Sequence, residues 1–200
     1  MPAKASAPPG SDDHDPDLRK TVAHPHRAKR PKGHCPAFGA THFFSQQSQH
    51  QTLTAYHEAG HAVIAIIVGR AVHKISIIPN KTRLGACEIK KGRSKPTTDW
   101  LEDEVLILLG GVAAEAKLIG RYNWAGAGQD LRGVRALTMS RAGDEVRANK
   151  LERRLLSKTE HLLADDPTWQ AVILIATALL EKETISGRQT IHLYNQTCEK

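Results

Sequence analysis

Two histidines spaced four residues apart in an apolar helix constrain the fold of this chain more than any other feature. The sequence predicts a helix over Thr54–Val68, with Thr54 as its N-cap and Gly69 as the residue that stops it. His57 and His61 lie in the first half, whereas the second half, Ala62–Val68, is apolar all round. Because a helix that is apolar on every face is buried, we expect it to lie at the centre of the core, with both histidines at its edge.

The residues His57-Glu58-Ala59-Gly60-His61 form an H-E-x-x-H motif. Side chains four residues apart share one face of a helix, so the two imidazoles are placed to hold one zinc ion at ~2.0–2.1 Å. Glu58 lies beside the first histidine in sequence, which makes it a poor ligand but a suitable base for the attacking water. We therefore predict His57 and His61 as metal ligands and Glu58 as the catalytic residue.

A catalytic zinc site needs a third protein ligand, and two acidic residues are candidates. A histidine six residues after the motif is excluded, since that position is Ile67. Glu115 follows a Gly-Gly pair within a predicted helix, and Asp130 follows a glycine-rich loop at a predicted helix start. Spacing and helix position alone leave these two alternatives open.

The remaining pattern predicts a mainly α (α+β) domain with a small β-sheet or hairpin. Val72–Ile78 and Leu84–Ile89 are the predicted antiparallel strands, followed by a basic loop over Lys90–Lys95. Asp99 opens a capping box for a helix that runs to Ile119 and stops at Gly120. Further helices are predicted at Gln129–Asn149, Leu151–Ala164 and Pro167–Glu183, the last with Asp166 as N-cap, followed by a turn at Ile185–Gly187 and a short closing helix.

Composition divides the 200 residues near residue 50. Residues 1–50 contain 7 of the 10 prolines and 6 of the 11 histidines without apolar periodicity, which predicts a flexible, weakly basic tail before a domain at 51–200. Three widely separated cysteines argue against a disulfide framework and favour a cytoplasmic location. No apolar stretch reaches the ~20 residues of a membrane span, and no nucleic-acid-binding motif is present.

Five blocks of sequence occur in order along the chain: Ala55–Ala62, Val72–Pro79, Leu109–Glu115, Gly126–Leu131 and Leu179–Ile185. Together they resemble the peptidase domain of the FtsH-type ATP-dependent zinc metalloproteases. This resemblance implies a zincin-like fold, a Zn²⁺ cofactor, Asp130 as the third metal ligand and Glu115 as a group that supports the ligands from behind.

The function implied is that of a zinc metalloendopeptidase, which hydrolyses peptide bonds of unfolded or flexible polypeptides with zinc-activated water. The sequence lacks the G-x-x-x-x-G-K-[ST] phosphate loop of the family's ATPase module and lacks its membrane anchor. A separate AAA+ unfoldase acting in trans and assembly into a homo-oligomer are the partners that the resemblance suggests. The alternative is a catalytically silent zinc-binding scaffold or adaptor.

An exposed strand edge is the predicted surface for an extended substrate. Either Ile75–Ile78 or Leu84–Ile89 would offer main-chain hydrogen bonds to a peptide with little sequence preference. The competing interpretation is that these strands are covered within the core.

Overall fold

A computed structural model describes the backbone of residues 41–198, which form six helices and three short strands. The mainly α architecture with a small sheet confirms the predicted fold class. In chain order the elements are α1 (Thr41–Ile67), β1 (Arg70–Ser76), β2 (Ala86–Arg93), α2 (Trp100–Ile119), α3 (Gly128–Ala142), α4 (Glu145–Ala164), α5 (Asp166–Lys182), β3 (Thr184–Ser186) and α6 (Gly187–Cys198).

The helix that carries the H-E-x-x-H motif begins at Thr41 rather than at Thr54. The Thr54 hydroxyl donates to the carbonyl oxygen of His50 at 2.9 Å, one turn earlier, so Thr54 lies inside the helix and is not its N-cap. The predicted end is confirmed, because α1 stops at Ile67 and Gly69 has a φ of 81°. Residues 1–40 lie outside the described residues, so the flexible tail stays a prediction.

The sheet has the order β2-β1-β3 and is antiparallel throughout. Ile75 of β1 pairs with Cys87 of β2 on one side and with Ile185 of β3 on the other. The predicted turn at Ile185–Gly187 is therefore wrong, since β3 occupies its first two residues. The basic segment predicted as a loop is also partly wrong, because β2 extends to Arg93.

The helix α2 has the ends that the sequence predicts. The Asp99 carboxylate accepts a hydrogen bond from the Glu102 backbone N–H at 3.0 Å, and Gly120 adopts the left-handed conformation at the C-terminus. The guanidinium of Arg141 in α3 also contacts Asp99, with Nη2 donating to Oδ1 at 2.7 Å. Asp99 thus fixes both the start of α2 and its position against α3.

The break between α3 and α4 differs from the predicted one near Asn149. Gly143 has a φ of 75°, and the Asp144 carboxylate caps the next helix by accepting from the Arg147 backbone N–H at 2.8 Å. These two residues end one helix and start another, so residues 145–149 belong to α4. The N-cap of α5 is likewise Asp165, one residue before the predicted Asp166.

The core forms where α1 packs against α2, α5 and β1. The largest fully buried side chains come from these elements and their neighbours and include Ile64, Ile75, Leu106, Ile175, Leu179 and Ile185. This packing surrounds the second half of α1 and places its histidines at the boundary between core and solvent.

No helix within residues 41–198 is both long and apolar enough to cross a membrane.

Candidate metal centre

The two histidines of α1 lie side by side on the face of the helix that meets α2 and α3. His57 and His61 are both buried, and their Nε2 atoms are 2.9 Å apart. The rings are nearly perpendicular, with an interplanar angle of 81°. The four-residue spacing therefore brings both Nε2 atoms to one point, as the helix period predicts.

Asp130 reaches the same point from the first turn of α3. Its Oδ2 atom lies 3.1 Å from Nε2 of His57 and 3.5 Å from Nε2 of His61. Among the described residues, these three form the group of side chains whose ligand atoms converge closely enough to hold a metal ion. Tetrahedral zinc at ~2.0–2.1 Å from each ligand requires ligand atoms about 3.3–3.4 Å apart, close to the spacing found.

The hydrogen bonds on the far side of each ring show which nitrogen carries the proton. His61 Nδ1 lies 2.7 Å from the carbonyl oxygen of Ile107, which only accepts, so Nδ1 donates. His57 Nδ1 donates to Oε1 of Glu115 at 2.6 Å. In the neutral rings both Nε2 lone pairs then face Asp130, and three acceptors at this spacing fit a cation between them.

The electrostatics of the site favour a positive charge at this point. Burial by itself lowers the pKa of His57, but hydrogen bonds with Asp130 and Glu115 raise it to about 10. Burial raises the pKa of Asp130, and the hydrogen bonds with His57 and His61 outweigh this and hold it well below its usual range. A divalent cation supplies the charge that this arrangement stabilises.

Glu115 lies behind the ligands rather than among them. Its Oε1 accepts from His57 Nδ1, and its Oε2 accepts from Nδ2 of Asn123 at 3.4 Å. The carboxylate is therefore on the side of the imidazole opposite to Asp130. Of the two acids that the sequence left open, Asp130 is the one that faces both Nε2 atoms.

Glu58 is buried beside the histidines, and burial raises the pKa of its carboxyl group although His61 and His57 lower it. A carboxylate with a raised pKa is a better proton acceptor near neutral pH. Gly85, just before β2, leaves room for this side chain, since a Cβ atom there would lie 2.7 Å from Oε1 of Glu58. The sequence analysis did not identify Gly85, because its contact with Glu58 is purely tertiary.

Three glycines allow α2 to pass directly against the motif. A Cβ atom on Gly111 would lie 2.6 Å from Nε2 of both His57 and His61. A Cβ atom on Gly60 would overlap the carbonyl oxygen of Gly110. Sequence reasoning missed the Ile107 carbonyl, because any residue supplies one, and Asn123, which stands in a loop without a distinctive spacing.

His57, His61 and Asp130 line a cleft of about 690 Å³. One wall consists of the β1–β2 loop and β2, including Arg83, Leu84 and Ile89. Further lining residues come from α2, the following loop and the start of α3, including Leu108 and Arg132. The metal centre is thus accessible to an extended ligand.

A family model described as peptidase family M41 matches residues 44–144, about half of the chain. The chain belongs to peptidase family M41. The M41 match contains all five site residues named from the sequence: His57, Glu58, His61, Glu115 and Asp130. It ends at Asp144, so α4, α5, β3 and α6 lie beyond it.

Relatives of this M41 chain carry the name ATP-dependent zinc metalloprotease FtsH. One from Protochlamydia amoebophila is 30% identical over 162 residues, covering 73% of this chain and 18% of that protein. FtsH 3 of Sorangium cellulosum is 37% identical over 83 residues, covering 40% and 14%. The protein of Acidimicrobium ferrooxidans is 26% identical over 182 residues, covering 71% and 27%. The chain thus spans between about a seventh and a quarter of these relatives' length.

Proposed function

We propose that this chain is a zinc metalloendopeptidase that hydrolyses peptide bonds of unfolded or flexible polypeptides. The observation that carries the proposal is the convergence of His57 Nε2, His61 Nε2 and Asp130 Oδ2, with the Glu58 carboxylate buried beside them. Membership in family M41 and the zinc metalloprotease names of the relatives support the same reaction.

In this proposal His57, His61 and Asp130 would hold Zn²⁺ at the cleft that they line. When bound, zinc polarises the scissile carbonyl group and lowers the pKa of a water molecule toward ~7. Glu115 and the Ile107 carbonyl hold the two rings with their Nε2 atoms turned inward, an arrangement whose loss typically costs about 10–100-fold in metal affinity.

Glu58 is the proton carrier of the reaction. Its carboxylate accepts a proton from the attacking water and then delivers it to the leaving amine, so the side chain ends the cycle as it began. The burial of Glu58 supports this role, because a desolvated carboxylate holds a proton more readily than an exposed one.

An extended substrate is proposed to lie along the edge of β2. β1 pairs on both sides, so the alternative edge at Ile75–Ile78 is occupied. Within residues 41–198 β2 pairs with β1 alone, and it contributes Ala86, Cys87 and Ile89 to the cleft. Peptides N-methylated at single amides should bind more weakly if main-chain hydrogen bonds hold them. Equal affinity of methylated and unmethylated peptides would contradict this binding mode.

The energy-dependent part of proteolysis is proposed to lie outside this sequence, which has no G-x-x-x-x-G-K-[ST] phosphate loop. Unfolded substrates should be cut without ATP, and folded ones should resist unless a separate AAA+ unfoldase delivers them. A homo-oligomer and a cytoplasmic location are further expectations of the same proposal.

The deciding experiment compares cleavage of unfolded casein by the wild-type chain and by Glu58→Gln at equal measured zinc content. The amide keeps the shape of the side chain but cannot accept the proton, so we expect a loss of about 10²–10⁴-fold. A matched control is Glu181→Gln, an exposed acid on α5 outside the site, which should retain full activity. Equal cleavage by wild type and Glu58→Gln would contradict the role of Glu58, and no cleavage by zinc-loaded wild type would favour the zinc-binding scaffold.

A further inference from the structure

We propose that Arg83 and Arg132 make the cleft selective for peptides that carry an acidic side chain within two residues of the scissile bond. This inference rests on the proposed peptidase function and names the class of substrate that the cleft prefers. The two guanidinium groups line the cleft from different elements, one on the β1–β2 loop and one on α3.

Arg83 is held in place by a compact turn. The Asn80 side-chain oxygen accepts from the backbone N–H groups of Thr82 and Arg83, each at 2.9 Å, and the Asn80 N–H donates to the Arg83 carbonyl oxygen at 2.8 Å. The backbone of Arg83 is thereby fixed, while its exposed side chain lines the cleft. Its charge also reaches Glu58, where it lowers the pKa of the carboxyl group.

Arg132 lies two residues after Asp130 in the first turns of α3. Its side chain is exposed and lines the cleft, and its Nη1 atom lies 3.8 Å from where a Cβ atom on Gly128 would stand. Because α3 also carries Asp130, the backbone of Arg132 is held near the metal centre, while its side chain reaches into the cleft.

Neither guanidinium has an ion-pair partner among the described residues. By contrast, Arg135 is paired with Glu145 and Glu152, and Arg141 is paired with Asp99. The arginines at the cleft thus differ from those that fasten one helix to another, because their donors remain available to a ligand.

The acids that line the cleft all belong to the metal centre. Glu115 bonds with His57, Asp130 faces both histidines, and Glu58 is buried beside them. Away from that cluster, the charged residues lining the described part of the cleft are Arg83 and Arg132. A substrate carboxylate would therefore meet two unpaired guanidiniums, whose planar donor fork matches the two oxygens of a carboxylate.

The test uses pairs of quenched fluorescent peptides that differ only by Glu or Gln at one position within two residues of the cleaved bond. Zinc-loaded wild type should cleave the best Glu peptide with a kcat/KM about two- to fivefold above that of its Gln partner, the size expected of an ion pair at an exposed guanidinium. Arg83→Gln and Arg132→Gln should each reduce this ratio, and the double variant should bring it close to one. Lys81→Gln, which removes a charge from the same loop but outside the cleft lining, should leave the ratio unchanged.

A binding measurement separates this inference from the peptidase proposal. Labelled Glu and Gln peptides are titrated into zinc-loaded Glu58→Gln, with and without the two arginine substitutions, and their dissociation constants are compared. A preference for the Glu peptide that disappears with the arginines supports the inference even if wild type cleaves nothing. Equal dissociation constants for the two peptides when both arginines are present would overturn the inference even if casein is cleaved. An arginine substitution that lowers kcat/KM equally for the Glu and Gln peptides would also overturn it, since that outcome would indicate a general catalytic effect.

Discussion

The backbones of Gly60 in α1 and Gly110 in α2 are in direct contact, and a Cβ atom on Gly110 would lie 2.8 Å from the Gly60 carbonyl oxygen. Helices whose contact residues carry side chains stay 8–10 Å apart at their axes. The two glycines remove that spacing and allow the backbone of α2 to lie against the imidazoles of the motif. The crossing of α1 and α2 is therefore part of the metal centre.

We expect Gly111→Ala to weaken zinc binding strongly while leaving the fold intact. The new methyl group would stand 2.6 Å from both Nε2 atoms, so the histidines must turn away or α2 must shift. Overpacking of this kind typically costs about 1–3 kcal/mol. Gly128→Ala is the matched control, because its Cβ atom would meet Arg132 at an ordinary 3.8 Å. Zinc titration together with the thermal midpoint measures both effects, and an unchanged zinc affinity in Gly111→Ala would contradict the described packing.

We expect about one zinc per chain, and we expect Asp130→Ala to reduce zinc affinity far more than Glu115→Ala does. Asp130 supplies a ligand oxygen, whereas Glu115 orients His57 from behind, a contribution of about 10–100-fold. Dialysis against a chelator followed by metal analysis and competitive titration gives the values. Full zinc content in Asp130→Ala combined with loss in Glu115→Ala would show that the ligand assignment is wrong.

Asp99 should stabilise the fold in a pH-dependent manner. The hydrogen bond from Arg141 lowers the pKa of this carboxyl group to about 2, below the ~3.9 of an unfolded chain. A carboxylate whose pKa is lowered by folding contributes stability that is fully present above pH ~4 and is lost as the pH falls to ~2.

The variant that isolates this pair is Asp99→Asn, because asparagine is also a good N-cap. Urea unfolding should show less difference between pH 7 and pH 3 for Asp99→Asn than for wild type, and Arg141→Gln should behave in the same way. Asp99→Ala should lose about 1 kcal/mol more at pH 7, since it also removes the cap of α2. Identical pH dependence in all four proteins would exclude a contribution from the pair.

Removal of residues 1–50 should leave the thermal midpoint nearly unchanged. Their composition offers too little apolar surface to offset the entropy of ordering them, and residues 48–51 of α1 are exposed. Two truncated chains, beginning at Gly39 and at Gln51, are to be compared with the full chain by calorimetry. A loss confined to the shorter chain would assign the effect to the first turns of α1, and a loss in both would show that the N-terminal segment packs on the domain.

The parts of the structure that sequence reasoning recovers are those fixed by neighbours in the chain. The period of the helix alone places His57 and His61 together, and Asp99 and Gly120 define α2 through bonds that span no more than one turn. The choice between Glu115 and Asp130 as the third ligand is not fixed by neighbours in the chain. It depends on how α3 approaches α1, which spacing does not encode.

Some of the misses originate in contacts between distant segments of the chain. β3 has three residues and no strand pattern of its own; it is extended because Ile185 pairs with Ile75 of β1. Other misses are local: threonine is frequent at N-caps, but the Thr54 hydroxyl bonds to a carbonyl oxygen one turn back within α1. The break at Gly143 and Asp144 is local as well, since the left-handed glycine ends α3 and the aspartate caps α4.

The central position of β1 has a consequence for the biosynthesis of the protein. Its two neighbours in the sheet are encoded far apart, with β2 following at once and β3 near the C-terminus, and α5 also packs against α1. A ribosome must therefore release almost the whole domain before the helix that carries His57 and His61 gains its full set of contacts. The histidine pair and Asp130 are therefore translated before α5 and β3, whose contacts complete the packing of α1 and β1.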